Sequence, residues 1–196
     1  MEGCFLRLQK KTVVYDFRQN DLKNGGQGAP LTPIFHKLLK IKFKIKNATF
    51  INIGGIVNIT SVCDDNKMSG TDIGPGMCLI DRWMRQRSKK NYDEDGIISK
   101  SGTVNKKALN LLLENFYEKE NNLKKGAIQS FDTKYFDFSF IENLSLEDGA
   151  ATLMEFTVKV IILALKSRKK FEDKIILCGG GRKNNFLTEK LKKENS

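Results

Sequence analysis

The chain has 196 residues, 40% of them hydrophobic and 13 of them Phe, enough to bury a core in one domain or one large lobe. Its formal net charge is +11, but Arg supplies only seven of the 34 basic residues and the lysines are scattered. The charge therefore reads as a solvated surface with some attraction for anionic ligands, and not as an Arg-rich stripe for nucleic acid. No run approaches the about 18 apolar residues of a membrane span, and Met1 to Lys10 lack the apolar stretch of a signal peptide. Cys4, Cys63, Cys78 and Cys178 show neither zinc nor disulfide spacing. The expectation is a cytoplasmic protein with reduced thiols, no metal-ligand cluster of its own, and no membrane or nucleic-acid partner.

In chain order, Thr12 to Tyr15 is a β-branched run and reads as a strand. Asn20 to Pro30 is punctuated by Gly25, Gly26 and Gly28 and reads as a loop. Pro33 to Leu39 suggests a short helix, and Lys40 to Lys46 alternates apolar and basic residues as a half-exposed strand would. Phe50 to Ile53 and Ile56 to Val62 flank Gly54-Gly55 as a β-hairpin. After a turn at Asp64 to Lys67, the Gly70 to Gly76 segment reads as a glycine-rich loop. Pro75 stands there at the start of a helix that carries Leu79, Ile80 and Trp83 to about Arg87. Tyr92 to Gly102 is polar and turn-rich, Asn105 to Tyr117 is an amphipathic helix, and Asn121 to Asn143 is irregular. Leu146 to Lys166 is a helix with Glu147 and Asp148 in its first turn. Lys174 to Cys178 is a strand running into Gly179-Gly180-Gly181 and a helix from about Asn185. No repeat or linker divides the chain, so residues 1–196 read as one mixed α/β unit.

Four stretches carry possible chemistry. Asp72, among Gly70, Gly74, Pro75 and Gly76, is of a type and setting that fixes a turn or caps a helix, or that serves as a general base. The strand-Gly179-Gly180-Gly181-helix unit fits a nucleotide phosphate or a tight connection. The Asn52-Ile53-Gly54-Gly55 hairpin can hold phosphate through backbone N–H groups or simply turn the chain. Asp16, Arg18 and Asp21 precede the Gly25 to Pro30 loop, which is followed by His36. Arg18 either grips an acidic substrate or pairs with one of those carboxylates.

In succession, VVYDFRQNDLKNGGQGAPLTPIFH (13–36), NIGGIVNIT (52–60), GTDIGPGMCLID (70–81), YDEDGIISKSGTVN (92–105), LSLEDGAATLMEFT (144–157) and CGGGRKNNFL (178–187) resemble the anhydro-N-acetylmuramic acid kinases from Thr12 to Leu187. The resemblance departs at Gly126-Ala127-Ile128-Gln129-Ser130, where the family has Pro-Pro-Lys-Ser, though Ser130 and Asp132 keep matching positions. It implies an actin/hexokinase-like ATPase lobe, a mixed β-sheet flanked by helices, and use of ATP with Mg²⁺. The implied reaction opens 1,6-anhydro-N-acetylmuramic acid with water and gives the 6-phosphate of N-acetylmuramic acid. By the same resemblance Asp72 is the base. Asp16, Arg18, Asp21, Gly26 and Gln27 face the sugar. Asn52, Gly54, Gly55, Asn58, Gly74, Gly76, Gly179, Gly180, Gly181 and Asn184 face the nucleotide. A homodimer is the implied full-length assembly.

Full-length members of that family begin with a Met-Ser-Gly-Thr-Ser phosphate loop and carry a His-Gly-Gln-Thr motif and a C-terminal stretch that this sequence does not show. The chain therefore reads as most of the second lobe of a two-lobed kinase, with Met1 to Lys10 fitting the family poorly. A folded remnant that binds nucleotide or sugar without turnover is the alternative reading.

Overall fold

The computed structural model describes residues 15–26, 28, 31–65, 67–125, 139–167 and 174–194. Among them run α1 (Phe17–Lys23), α2 (Pro33–Lys42), β1 (Ala48–Ile53), β2 (Ile56–Val62), β3 (Met68–Pro75) and α3 (Cys78–Arg87). A 3-10 turn (Glu94–Gly96) leads into α4 (Ile97–Ser101), followed by α5 (Lys106–Lys125), a second 3-10 turn (Ser139–Ile141) and α6 (Leu146–Lys166). β4 (Lys174–Cys178), a 3-10 turn (Gly180–Lys183) and α7 (Asn185–Glu194) complete the order.

The strands form one mixed sheet in the order β3-β2-β1-β4: an antiparallel meander with β4 added parallel to β1. Alternation along the strands sends Ile51, Ile53, Val57 and Ile59 to one face. There they meet Leu79, Ile80, Trp83, Phe116, Leu153, Ile161 and Leu187 in the main core. α6 is buried on nearly all sides, as its apolar sequence requires. Ser145 caps it, its hydroxyl accepting from the Asp148 N–H at 3.0 Å. Gly149 lets that helix lie directly on the Trp83 ring, where a Cβ would collide, and the Trp83 Nε1–H donates to the Leu146 carbonyl at 2.9 Å.

Among the described residues the other sheet face is covered only toward one end. Ala48, Phe50 and Val62 pack there with Leu39 and Ile45, and the His36 ring stacks flat on Phe50 with centroids 4.4 Å apart. The far side of α2 is apolar and bare: Ile34, Phe35, Leu38 and Ile41 are all more than half exposed. No helix among the described residues is long and apolar enough to cross a membrane. The result is the α/β architecture that an actin/hexokinase-like ATPase lobe calls for.

Several expectations are corrected. The Gly70 to Gly76 segment is not a loop; Gly70 to Pro75 lie within β3, Gly76 follows its end, and helix α3 begins at Cys78, beyond Pro75. Pro75 is tolerated as the last residue of a strand at the end of the sheet order, where its missing N–H breaks no ladder. Lys40 to Lys46 is not a strand. α2 continues to Lys42 because Lys40 turns inward, its Nζ donating to the Cys63 carbonyl at 2.8 Å. The helix then stops where Lys44 takes a positive φ of 51°. Asn20 to Lys23 belong to α1, α4 forms inside the turn-rich 92–102 stretch, and α5 outruns Tyr117 to reach Lys125. Tyr15 joins no strand; the rest of the expected 12–15 strand lies outside the described residues, as do Gln27, Ser130 and Asp132.

Candidate functional site

At the end of the sheet where β1 and β4 terminate, β2 begins and β3 ends, a polar row crosses the sheet. Cα pairing aligns Asp72 with Asn58, Asn58 with Asn52, and Asn52 with Cys178. Alternation places all four on the face that carries Phe50 and His36, beyond the part those two occupy. A bulge makes this possible. Val57 pairs with Gly74 and Asn58 with Asp72, so Ile73 is the extra residue, turned into the core. Gly74 then takes a φ of 149° against Val160 and Phe116, where a side chain would not fit.

Asp72 is half-buried, and burial pushes its carboxyl above the usual carboxylate range. The Arg18 guanidinium, reaching over from α1, pulls the other way. The structure thus brings the Arg18 stretch and the Asp72 stretch into one electrostatic neighbourhood. Among the described residues Arg18 forms no ion pair with Asp16 or Asp21. Those two carboxylates have other places. Asp16 stands exposed before α1 at a φ of 60°, and Asp21 accepts from the Gly28 N–H at 2.6 Å, bracing the Gly25 to Gly28 turn. Gly26 lies so close to the Asp21 carboxylate that a side chain would displace it.

The two glycine turns meet beside this row. Gly179, at a φ of 79°, backs onto the Ile53 carbonyl and the Asn52 side chain, and Gly181 backs onto Ile53. Gly180 faces open space, so backbone there is free to approach a ligand. The Gly54 and Gly55 carbonyls accept from the Gly76, Met77 and Cys78 N–H groups at 2.8, 2.9 and 3.3 Å. The start of α3 is thereby capped by the hairpin turn. Asn184 is buried, its Nδ2 donating to the Asp93 carbonyl at 3.2 Å and its Oδ1 accepting from the Leu187 N–H at 3.0 Å. It braces the start of α7 with both ends of its amide.

Two features lie outside what the sequence offered. His36 was legible only as a residue after the glycine loop; its stacking on Phe50 is a tertiary event. Burial lowers its pKa, so the ring is neutral near pH 7. The Asn58 Oδ1 is buried without a hydrogen-bond partner, which no sequence pattern signals. The thiols near the site are poor nucleophiles: burial pushes Cys78 up to about 11 and raises Cys178 as well.

A family model described as Anhydro-N-acetylmuramic acid kinase matches residues 6–195. Curated relatives bearing that same description include one from Pelagibacter ubique, 48% identical over 95% of this chain and 50% of its own length. One from Aliivibrio fischeri is 38% identical over 91% of this chain and 49% of its own. Another, from Zymomonas mobilis, is 37% identical over 96% and 50%. The chain spans about half the length of the curated relatives it matches.

Proposed function

The chain belongs to the anhydro-N-acetylmuramic acid kinase family, and from that membership we propose that it serves an ATP-dependent kinase that opens 1,6-anhydro-N-acetylmuramic acid with water and phosphorylates O6. The observation that carries the reading is Asp72: a carboxylate lifted by burial, standing in a polar row next to two glycine turns. A base must hold a proton weakly enough to release it and strongly enough to take it, and burial tunes a carboxylate toward that range.

In this reading Asp72 takes a proton from water as the water oxygen bonds to the anomeric carbon. The C1–O6 bond breaks with its electron pair on O6, and O6 bonds to the γ-phosphorus as the β–γ bridge oxygen leaves with ADP. Arg18 would steady the acidic sugar substrate. Gly180, open to solvent, together with the neighbouring Gly179, Gly181, Gly54 and Gly55, would lie along the nucleotide. Mg²⁺ would be carried on the ATP phosphates; among the described residues no three His, Cys, Asp or Glu side chains gather to hold an ion. The setting would be the cytoplasm, in recycling of cell-wall peptidoglycan and amino sugars.

A second reading is favoured by the chain's covering half the length of its relatives: a lobe that binds nucleotide or sugar weakly and turns nothing over. The test is an assay of ATP-dependent phosphorylation of the anhydro sugar by the purified chain, with calorimetry of ATP and sugar binding beside it. Turnover supports the first reading, and binding without turnover supports the second. Absence of both overturns each for this chain.

A further inference from the structure

We infer that Asn58 and Asp72 together clamp one water molecule, and that this is the water that attacks the sugar. Asn58 and Asp72 are directly paired across β2 and β3 and lie on one face. Side chains so paired start about 4.5–5.5 Å apart at Cβ. The Asn58 Oδ1 is buried and has no partner. Among the described residues none donates a hydrogen bond to the Asp72 carboxylate; the Thr71 hydroxyl beside it bonds instead to the Asp72 main-chain carbonyl. A buried amide oxygen and a half-buried carboxylate thus stand side by side, and no other described residue donates to either.

A carboxylate and an amide oxygen cannot satisfy each other, and both are costly to leave bare. One water molecule supplies two donors at the required spacing and is the smallest species that answers both. Held by both hydrogens, it presents its lone pairs away from the sheet. That is the orientation an attacking water needs: one O–H bond aligned on the base, the other anchored, the oxygen free to bond to carbon. Asp72 takes the aligned proton, and Asn58 keeps the second hydrogen bond as the oxygen bonds to carbon. Asn58 is thereby assigned to the water rather than to the nucleotide.

The role in the reaction rests on the kinase reading above; the clamp itself rests on the structure alone. The two are tested separately. A high-resolution crystal structure of the chain is expected to show an ordered water within hydrogen-bond distance of both Asn58 and the Asp72 carboxylate. In Asn58→Leu and Asn58→Ala that water is lost while Asp72 keeps its place. A direct bond from the Asn58 amide to Asp72, or no water there, overturns the clamp whatever the activity. In the phosphorylation assay both variants are expected to lose about 10²-fold in kcat with KM for the sugar unchanged. A rise in KM with kcat intact overturns the role in attack. Water present in a protein that phosphorylates nothing refutes the kinase reading for this chain and leaves the clamp standing.

Discussion

Arg18 on α1 sets its positive charge against Asp72 on β3, across 54 residues of sequence, and partly offsets what burial does to that carboxyl. Burial favours the neutral acid and the guanidinium favours the ion. Removing the guanidinium should therefore raise the Asp72 pKa further. In Arg18→Ala the acid limb of the pH–kcat/KM profile is expected to move to higher pH, and a carboxyl-carbon NMR titration of Asp72 should move with it. An unshifted titration would show that the charge of Arg18 is screened out before it reaches the base.

Asp72→Asn removes the group that takes the proton. Loss of a positioned base costs about 10²–10⁴-fold in rate, so kcat should fall by that order with ATP affinity nearly unchanged. Stability should move the other way. A carboxyl whose pKa is raised in the folded state costs stability above that pKa, and the cost vanishes as pH falls below the unfolded value. The Asn variant should melt higher than wild type near pH 7 and lose that advantage in acid, as read by thermal denaturation across pH. A variant with wild-type turnover would transfer the role of base to another carboxylate.

Gly149→Ala tests the close approach of α6 to Trp83. Helix propensity alone predicts a gain of about 1 kcal/mol from Gly to Ala. The new methyl group, however, would land on the indole ring, and overpacking costs about 1–3 kcal/mol. The clash should win, and urea denaturation is expected to show a less stable protein with red-shifted Trp fluorescence. A more stable variant would mean that α6 can lift from Trp83 without loss.

The outer side of α2 should drive self-association. Ile34, Phe35 and Leu38 are 64%, 59% and 59% exposed, an apolar stripe of the kind that marks contact surfaces. Sedimentation velocity of the chain is expected to show concentration-dependent association, and the Phe35→Ser, Leu38→Glu double variant should shift it toward monomer. A wild-type chain that stays monomeric at high concentration would contradict this.

The apolar periodicity of α6 and the run in β4 place both elements to the residue, because one is an uninterrupted helical stripe and the other a short continuous apolar run. β3 escapes such reading. Its Gly70, Gly74 and Pro75 have low strand propensity, and only pairing with β2 makes the segment extended. The Lys40 to Lys46 alternation misleads for a related reason: helix and strand patterns overlap over so few residues, and the inward bond of Lys40 decides between them. In the site, Asp72 and the glycine turns could be singled out from residue type and spacing. Sequence could not reveal that the Gly54 and Gly55 carbonyls are already spoken for, or that Asn58 stands opposite Asp72. Those depend on register, which is set by long-range pairing.

The bonds from Gly76, Met77 and Cys78 to the Gly54 and Gly55 carbonyls close a loop of chain from residue 54 to residue 78, with Asp72 inside it. The β2–β3 ladder crosses the same loop. To move the stretch of main chain that carries Asp72, the molecule must open either a clasp of three backbone bonds or a stretch of sheet. The place of Asp72 is thus settled during folding, and a ligand arriving at the row has only side chains left to order.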